Sequence, residues 1–83
     1  MEKRLGFVGI IVDKRKETAH KINSVLSEYA DIIVARVGLP YGQRSCSVIT
    51  LIVDASTDTL GSLTGQIGKI DGVSVKSALS KTK

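Results

Sequence analysis

Few residues in this chain could do covalent or ligand chemistry. His20 and Cys46 are its only good soft or borderline metal ligands, whereas a structural metal site takes about four. On a helical wheel His20 falls about 100° from Ala19, on the polar face, where a histidine is ordinarily a surface residue. Cys46 opens a strand-like run with no general base placed near it, so packing accounts for it better than reactivity. There is no Cys-x-x-Cys, no phosphate loop and no nucleophile placed beside the histidine. Arg15 lies where some small phosphatases carry an arginine cradle, but the glycine-rich loop is missing. No reaction class follows, and the expectation is a non-enzyme with no cofactor and no metal.

Two groupings remain. The first is Asp13-Lys14-Arg15, continued by Lys16. Cations at a helix N-terminus oppose the helix dipole, so their placement suits an anion held by these side chains and free backbone N–H groups. The plainer alternative is a solvated charge run beside Glu17. The second grouping is a stripe of Gly61, Gly65, Gly68 and Gly72, at steps of four, three and four. The four fall within about 60° on a wheel, nearly opposite Leu60, Leu63, Ile67 and Ile70. Gly72 is explained as a helix stop and Gly61 sits in the first turn. Gly65 and Gly68 are interior, and each costs about 0.8–1.0 kcal/mol relative to alanine. A bare backbone groove is then expected, where a ligand or neighbouring subunit approaches closely, with Thr64 and Gln66 beside it. The competing explanation is a mobile surface helix. The candidate ligand contacts are Asp13, Lys14, Arg15, Gly61, Thr64, Gly65 and Gly68.

The elements that must position these groups can be read from periodicity. Leu5 to Val12 is an uncharged β-branched run, a strand. Thr18 to Ala30 places Ala19, Ile22, Val25, Leu26, Tyr29 and Ala30 within roughly 140°, an amphipathic helix for which Asp13 is a plausible N-cap. Ile32 to Val37 is a second strand, ending at a turn over Gly38-Leu39-Pro40-Tyr41-Gly42. Cys46 to Val53 is a third. Ser56, Thr57 and Asp58 offer caps for a second helix that Asp71-Gly72 stops, and Val73 to Leu79 alternates as a last strand. The order β-α-β-β-α-β with right-handed crossovers gives an α+β, ferredoxin-like sandwich: an antiparallel sheet with both helices on one face. Strands one and three, both uncharged, belong at its centre. Arg36 and Lys76 mark strands two and four as edges.

Size and composition bound the rest. The chain has 83 residues, 42% of them hydrophobic, and a formal net charge of +4. It is one domain, not a disordered tail. Its longest stretch without Asp, Glu, Lys or Arg, Thr59 to Gly68, is half the ~20 residues a membrane span needs. No signal-peptide pattern precedes Leu5, and a single cysteine fits a reducing compartment, so the expected location is cytoplasmic.

A domain this short buries only ~60% of its unfolded surface. Yet both sheet faces read as apolar: Leu5, Phe7 and Ile11 alternate with Val8, Ile10 and Val12, and Val48 and Ile52 with Ile49, Leu51 and Val53. Ser80 to Lys83 are too few and too polar to cover such a face. Homo-oligomerisation, as a dimer or tetramer, is the expected solution. RNA-recognition modules share the strand order, and Leu5-Gly6-Phe7-Val8-Gly9 has the outline of their first-strand motif. They stack bases on third-strand aromatics, and Cys46-Ser47-Val48-Ile49-Thr50-Leu51 has none. The cations, among them Lys3-Arg4, Lys14-Arg15-Lys16, Lys81 and Lys83, are dispersed, and no helix-turn-helix is visible. Direct nucleic-acid binding is not expected.

The run from Thr57 to Leu79, with its Thr64-Gly65-x-x-Gly68 and Gly72-Val73-x-Val75-Lys76-Ser77 patterns, resembles the C-terminal signature of the iron-only hydrogenase system regulator family. Arg36-Val37-Gly38-Leu39-Pro40-Tyr41 and Arg4 to Asp13 match its second and first strands. The resemblance covers roughly residues 3 to 80 and implies a single ACT-like domain over residues 1–83. It is similar to the C-terminal effector domain of the nickel-responsive repressor. It also implies a homo-oligomer with a regulatory or ligand-sensing role. The chain departs from that repressor in two ways. No DNA-binding ribbon-helix-helix precedes Arg4, and the metal-binding histidines and cysteine are missing. Action through a small-molecule effector or a protein partner is expected instead. The alternative is a structural interaction module without a small-molecule ligand.

Overall fold

A computed structural model describes residues 2–81; Met1, Thr82 and Lys83 lie outside the described residues, and with them the last of the tail cations. The elements run β1 (Arg4–Asp13), α1 (Lys16–Glu28), a 3-10 turn (Ala30–Ile32), β2 (Ile33–Tyr41), a second 3-10 turn (Gly42–Arg44), β3 (Cys46–Ala55), α2 (Thr57–Gly68) and β4 (Val73–Leu79). The sheet order is β2-β3-β1-β4, with every neighbouring pair antiparallel. This is the ferredoxin-like sandwich the sequence predicts, with the two uncharged strands at its centre.

Local chemistry sets the element ends. Ser56 caps α2, its Oγ accepting the N–H of Thr59 at 3.2 Å, which satisfies one of the orphan donors of the first turn. Asp13 is not the N-cap of α1. Arg15 occupies that position without a side-chain cap, and Asp13, two residues earlier, accepts the Arg15 N–H at 3.1 Å. The second strand also runs longer than its spacing predicts. Gly38 to Tyr41, expected as a turn, pair with Ile49 to Cys46. Pro40 has no N–H to donate to a ladder, but an edge strand tolerates that loss. The reversal is made instead by Gly42–Arg44, where Ser45 adopts φ 52° and donates its N–H to the Gly42 carbonyl at 3.2 Å.

Alternation then sorts the strands into two faces. Val8, Ile10 and Val12 of β1 and Leu51, Val53 and Ala55 of β3 are buried against Ile22 and Leu26 of α1 and Leu60, Leu63 and Ile67 of α2. The intervening residues point the other way, onto a face that no element of the described chain covers. Phe7 is 57% exposed, Leu5 56% and Ile11 52%, with Ile52, Val37 and Leu39 exposed beside them. Ser80 donates its N–H to the Leu5 carbonyl at 2.8 Å, which extends the β4 edge alongside β1.

Candidate functional site

The β1–α1 loop lies beside a cleft of about 310 Å³ on the helix side of the sheet. Val12, Asp13 and Lys14 form one end. Ala19, Ile22 and Asn23 of α1 make one wall; Arg36 of β2 with Ser47 and Ile49 of β3 makes the other. Helical spacing puts Ala19, Ile22 and Asn23 on the same side of α1, so its lower flank is apolar and its rim polar. Arg36 crosses the gap and donates to Asn23 Oδ1 at 2.9 Å. Lys14 reaches over from the loop toward the β2–β3 reversal, its Nζ 3.6 Å from where a side chain on Gly42 would begin.

Asp13 and Arg15, the other two loop candidates, are engaged with each other. Arg15 Nε donates to Asp13 Oδ2 at 2.8 Å, and its NH2 group reaches the Asp71 carbonyl at 3.2 Å and the Asp71 carboxylate at 3.5 Å. Glu17 lies 3.7 Å from the same guanidinium. Desolvation raises the Asp13 pKa, but hydrogen bonds from the Thr18 side chain, the Arg15 backbone and the Arg15 guanidinium outweigh it and hold the carboxyl below its ordinary value. The hydrogen bond to Asp13 and its charge hold Arg15 all the more firmly protonated. With the Asp13 carboxylate paired to Arg15, Lys14 and Arg36 are the cations that line the cleft.

The glycine stripe is separate from this cleft. A side chain started at Gly61 or Gly65 would meet nothing within 4 Å, and one at Gly68 would make ordinary contact with Val75 at 3.7 Å. Thr64 turns its hydroxyl onto its own helix, donating to the carbonyls of Leu60 at 3.0 Å and Gly61 at 3.3 Å. Gly72, the last of the stripe, does meet the loop: Asp13 donates its N–H to the Gly72 carbonyl at 3.0 Å. Arg36, Asn23 and Ser47 were not marked by sequence as site residues. Only the break that Arg36 makes in an apolar strand hinted at it, and that break equally marks an edge. A second feature without a sequence signal links the helices: the Tyr29 hydroxyl lies 2.7 Å from Ser62 Oγ and accepts from Gln66 Nε2 at 2.7 Å.

Among the described residues no group of three or more His, Cys, Asp or Glu could hold a metal, and no helix is long and apolar enough to cross a membrane.

The model of the TM1266-like family, iron-only hydrogenase system regulator as a proposed role, matches residues 4–77. The chain belongs to the TM1266-like family. The uncharacterized protein TM1266 from Thermotoga maritima superposes with a TM-score of 0.94 at 34% sequence identity, covering 96% of this chain and 100% of that one. The ACT domain of the GTP pyrophosphokinase of Chlorobium tepidum superposes with a TM-score of 0.76 at 20% identity, over 92% of this chain and 99% of that domain. That likeness establishes the ACT-type fold for this TM1266-like chain. No curated protein sequence matches it.

Proposed function

We propose that this TM1266-like chain is a non-catalytic regulatory module of the iron-only hydrogenase system, which senses a small molecule as a homo-oligomer. The observation that supports sensing is the cleft between α1 and β2. It combines apolar lining from Ile22 and Ile49 with two cations, Lys14 and Arg36, whose local counter-charge, Asp13, is already bound to Arg15. Such a site suits a small effector with an anionic group and a short apolar body. The family to which the chain belongs, and the ACT fold it shares, support the regulatory role.

The homo-oligomer is supported by the uncovered sheet face, which a monomer of this size would leave in water. The candidate Gly61/Thr64/Gly65/Gly68 face is retained only for contact with a partner chain, since it lies apart from the cleft. A purely structural interaction module is the competing proposal, and ligand binding separates the two. Thermal unfolding against a panel of organic anions, amino acids, nucleotides and divalent metals tests the point. An effector at 100 times its Kd adds about 2.7 kcal/mol, a shift of several degrees. A flat panel would overturn ligand sensing.

A further inference from the structure

The uncovered sheet face carries a specific shape. Register places its residues in rows across the strands. One row holds Ala35, Ile52, Phe7 and Ala78; the next holds Val37, Thr50, Gly9 and Lys76; the third holds Leu39, Val48, Ile11 and Ser74. The middle row is low at its centre. Gly9 sits there in the central strand with only backbone, and a cleft of about 250 Å³ opens between Ile11, Val48 and Lys76. A second, almost wholly apolar hollow of about 390 Å³ lies between Leu5, Phe7, Ile52 and Ala78.

Nothing among the described residues crowds the space beside Gly9. A side chain started there would meet only the Lys76 carbonyl, 4.0 Å from its first carbon. Gly6, in the same strand, is different, because a side chain there would collide with the Ala78 carbonyl and the Leu79 side chain. An interior strand glycine weakens its strand, and one without an internal reason marks close approach from outside. The large knob nearest the Gly9 notch is Phe7, on the same face and strand. Knob and notch therefore belong to one surface, which allows two copies to pair knob to notch across a two-fold axis.

We propose that a second copy of this chain covers the sheet, face to face, about a two-fold axis that passes near the Gly9–Thr50 row, so that each Phe7 packs into the low ground beside the other copy's Gly9 and Ile11. This rests on the homo-oligomer proposed above and adds its surface and symmetry. The size of the face agrees. At the usual strand spacing and rise, four strands present about 500 Å². Two such faces give about 1,000 Å², the threshold for a stable interface. A single helix of about 10 Å diameter would cover only two of the four strands, whereas another sheet covers all of them at the ~10 Å separation of stacked sheets.

The test is native mass by light scattering of the full chain at 10–100 µM, for the wild type, Gly9→Leu, Phe7→Lys and the helix-surface variant Lys21→Ala, at an exposed position. The wild type and Lys21→Ala are expected at an even multiple of 8.8 kDa. Gly9→Leu and Phe7→Lys are expected to associate at least tenfold more weakly while keeping the far-ultraviolet circular dichroism of the wild type. Should Gly9→Leu not fold, Phe7→Lys carries the test alone, since that side chain is already in water. A monomeric wild type would overturn both the oligomer and this face. An oligomer that ignores both substitutions would overturn the face alone, and neither result bears on ligand sensing.

Discussion

Asp13 occupies the space that a side chain on Gly72 would need: its backbone N–H is bonded to the Gly72 carbonyl at 3.0 Å, and a side chain at Gly72 would run into its carboxylate and come within 2.7 Å of Arg15 NH2. The end of β1 and the entry to β4 are joined there, and the joint fixes the loop from which Lys14 extends. Gly72 also has φ +87°, a conformation that side chains resist. Gly72→Ala should therefore destabilise the fold by more than about 1 kcal/mol, read as a lower denaturant midpoint with an unchanged slope.

The same joint has a pH signature. The Asp13 pKa is lowered on folding from its ordinary 3.8. The stability it contributes is therefore present above pH 3.8 and is lost as pH falls through the lower native value. Asp13→Asn should flatten the acid limb of the stability curve in that range, measured by denaturant unfolding between pH 2 and pH 5. An acid limb identical to that of the wild type would exclude Asp13 as its source.

Gly65 lies inside α2 with open space where its side chain would begin. Gly65→Ala should stabilise the domain by up to about 1 kcal/mol, the difference in helix propensity. Gly68, expected as interior, is the last residue of α2, so pairing with Gly68→Ala should add little to that gain. If a partner chain seats on this stripe, the double variant will instead lose that partner, and a pull-down with the wild type as reference separates the two results.

The Tyr29 hydroxyl ties the two helices through Ser62 and Gln66. Tyr29→Phe should cost about 1 kcal/mol, the usual net worth of such bonding. An unchanged thermal midpoint would show that water replaces the hydroxyl's partners fully.

Much of the fold was legible because its signals are local. The run from Val73 to Leu79 alternates, and it is β4 to the residue. Ser56 reads as a cap and is one. Two local signals were outweighed by other pairings. Proline and glycine at positions 38–42 signal a turn, yet β3 pairs with residues as far as Tyr41 because an edge strand loses little by having Pro40 on it. Asp13 has the chemistry of a cap, yet α1 starts one residue after Arg15, and Asp13 accepts from the Arg15 N–H and guanidinium instead. The candidate site was legible only in part. Lys14 stands out in a charge run, whereas Arg36 and Asn23, 13 residues apart, come together only when α1 lies across β3, and no spacing announces that.

Sensing of a small molecule by the cationic cleft is tested most directly by thermal unfolding of the wild type and Lys14→Ala side by side, with each panel compound at two concentrations. Lys14 is exposed and makes no ion pair among the described residues, so the variant should match the wild type without a compound. A compound that raises the wild-type midpoint by several degrees and leaves Lys14→Ala unmoved is the predicted result. Equal shifts in both proteins, or no shift in either, would contradict it.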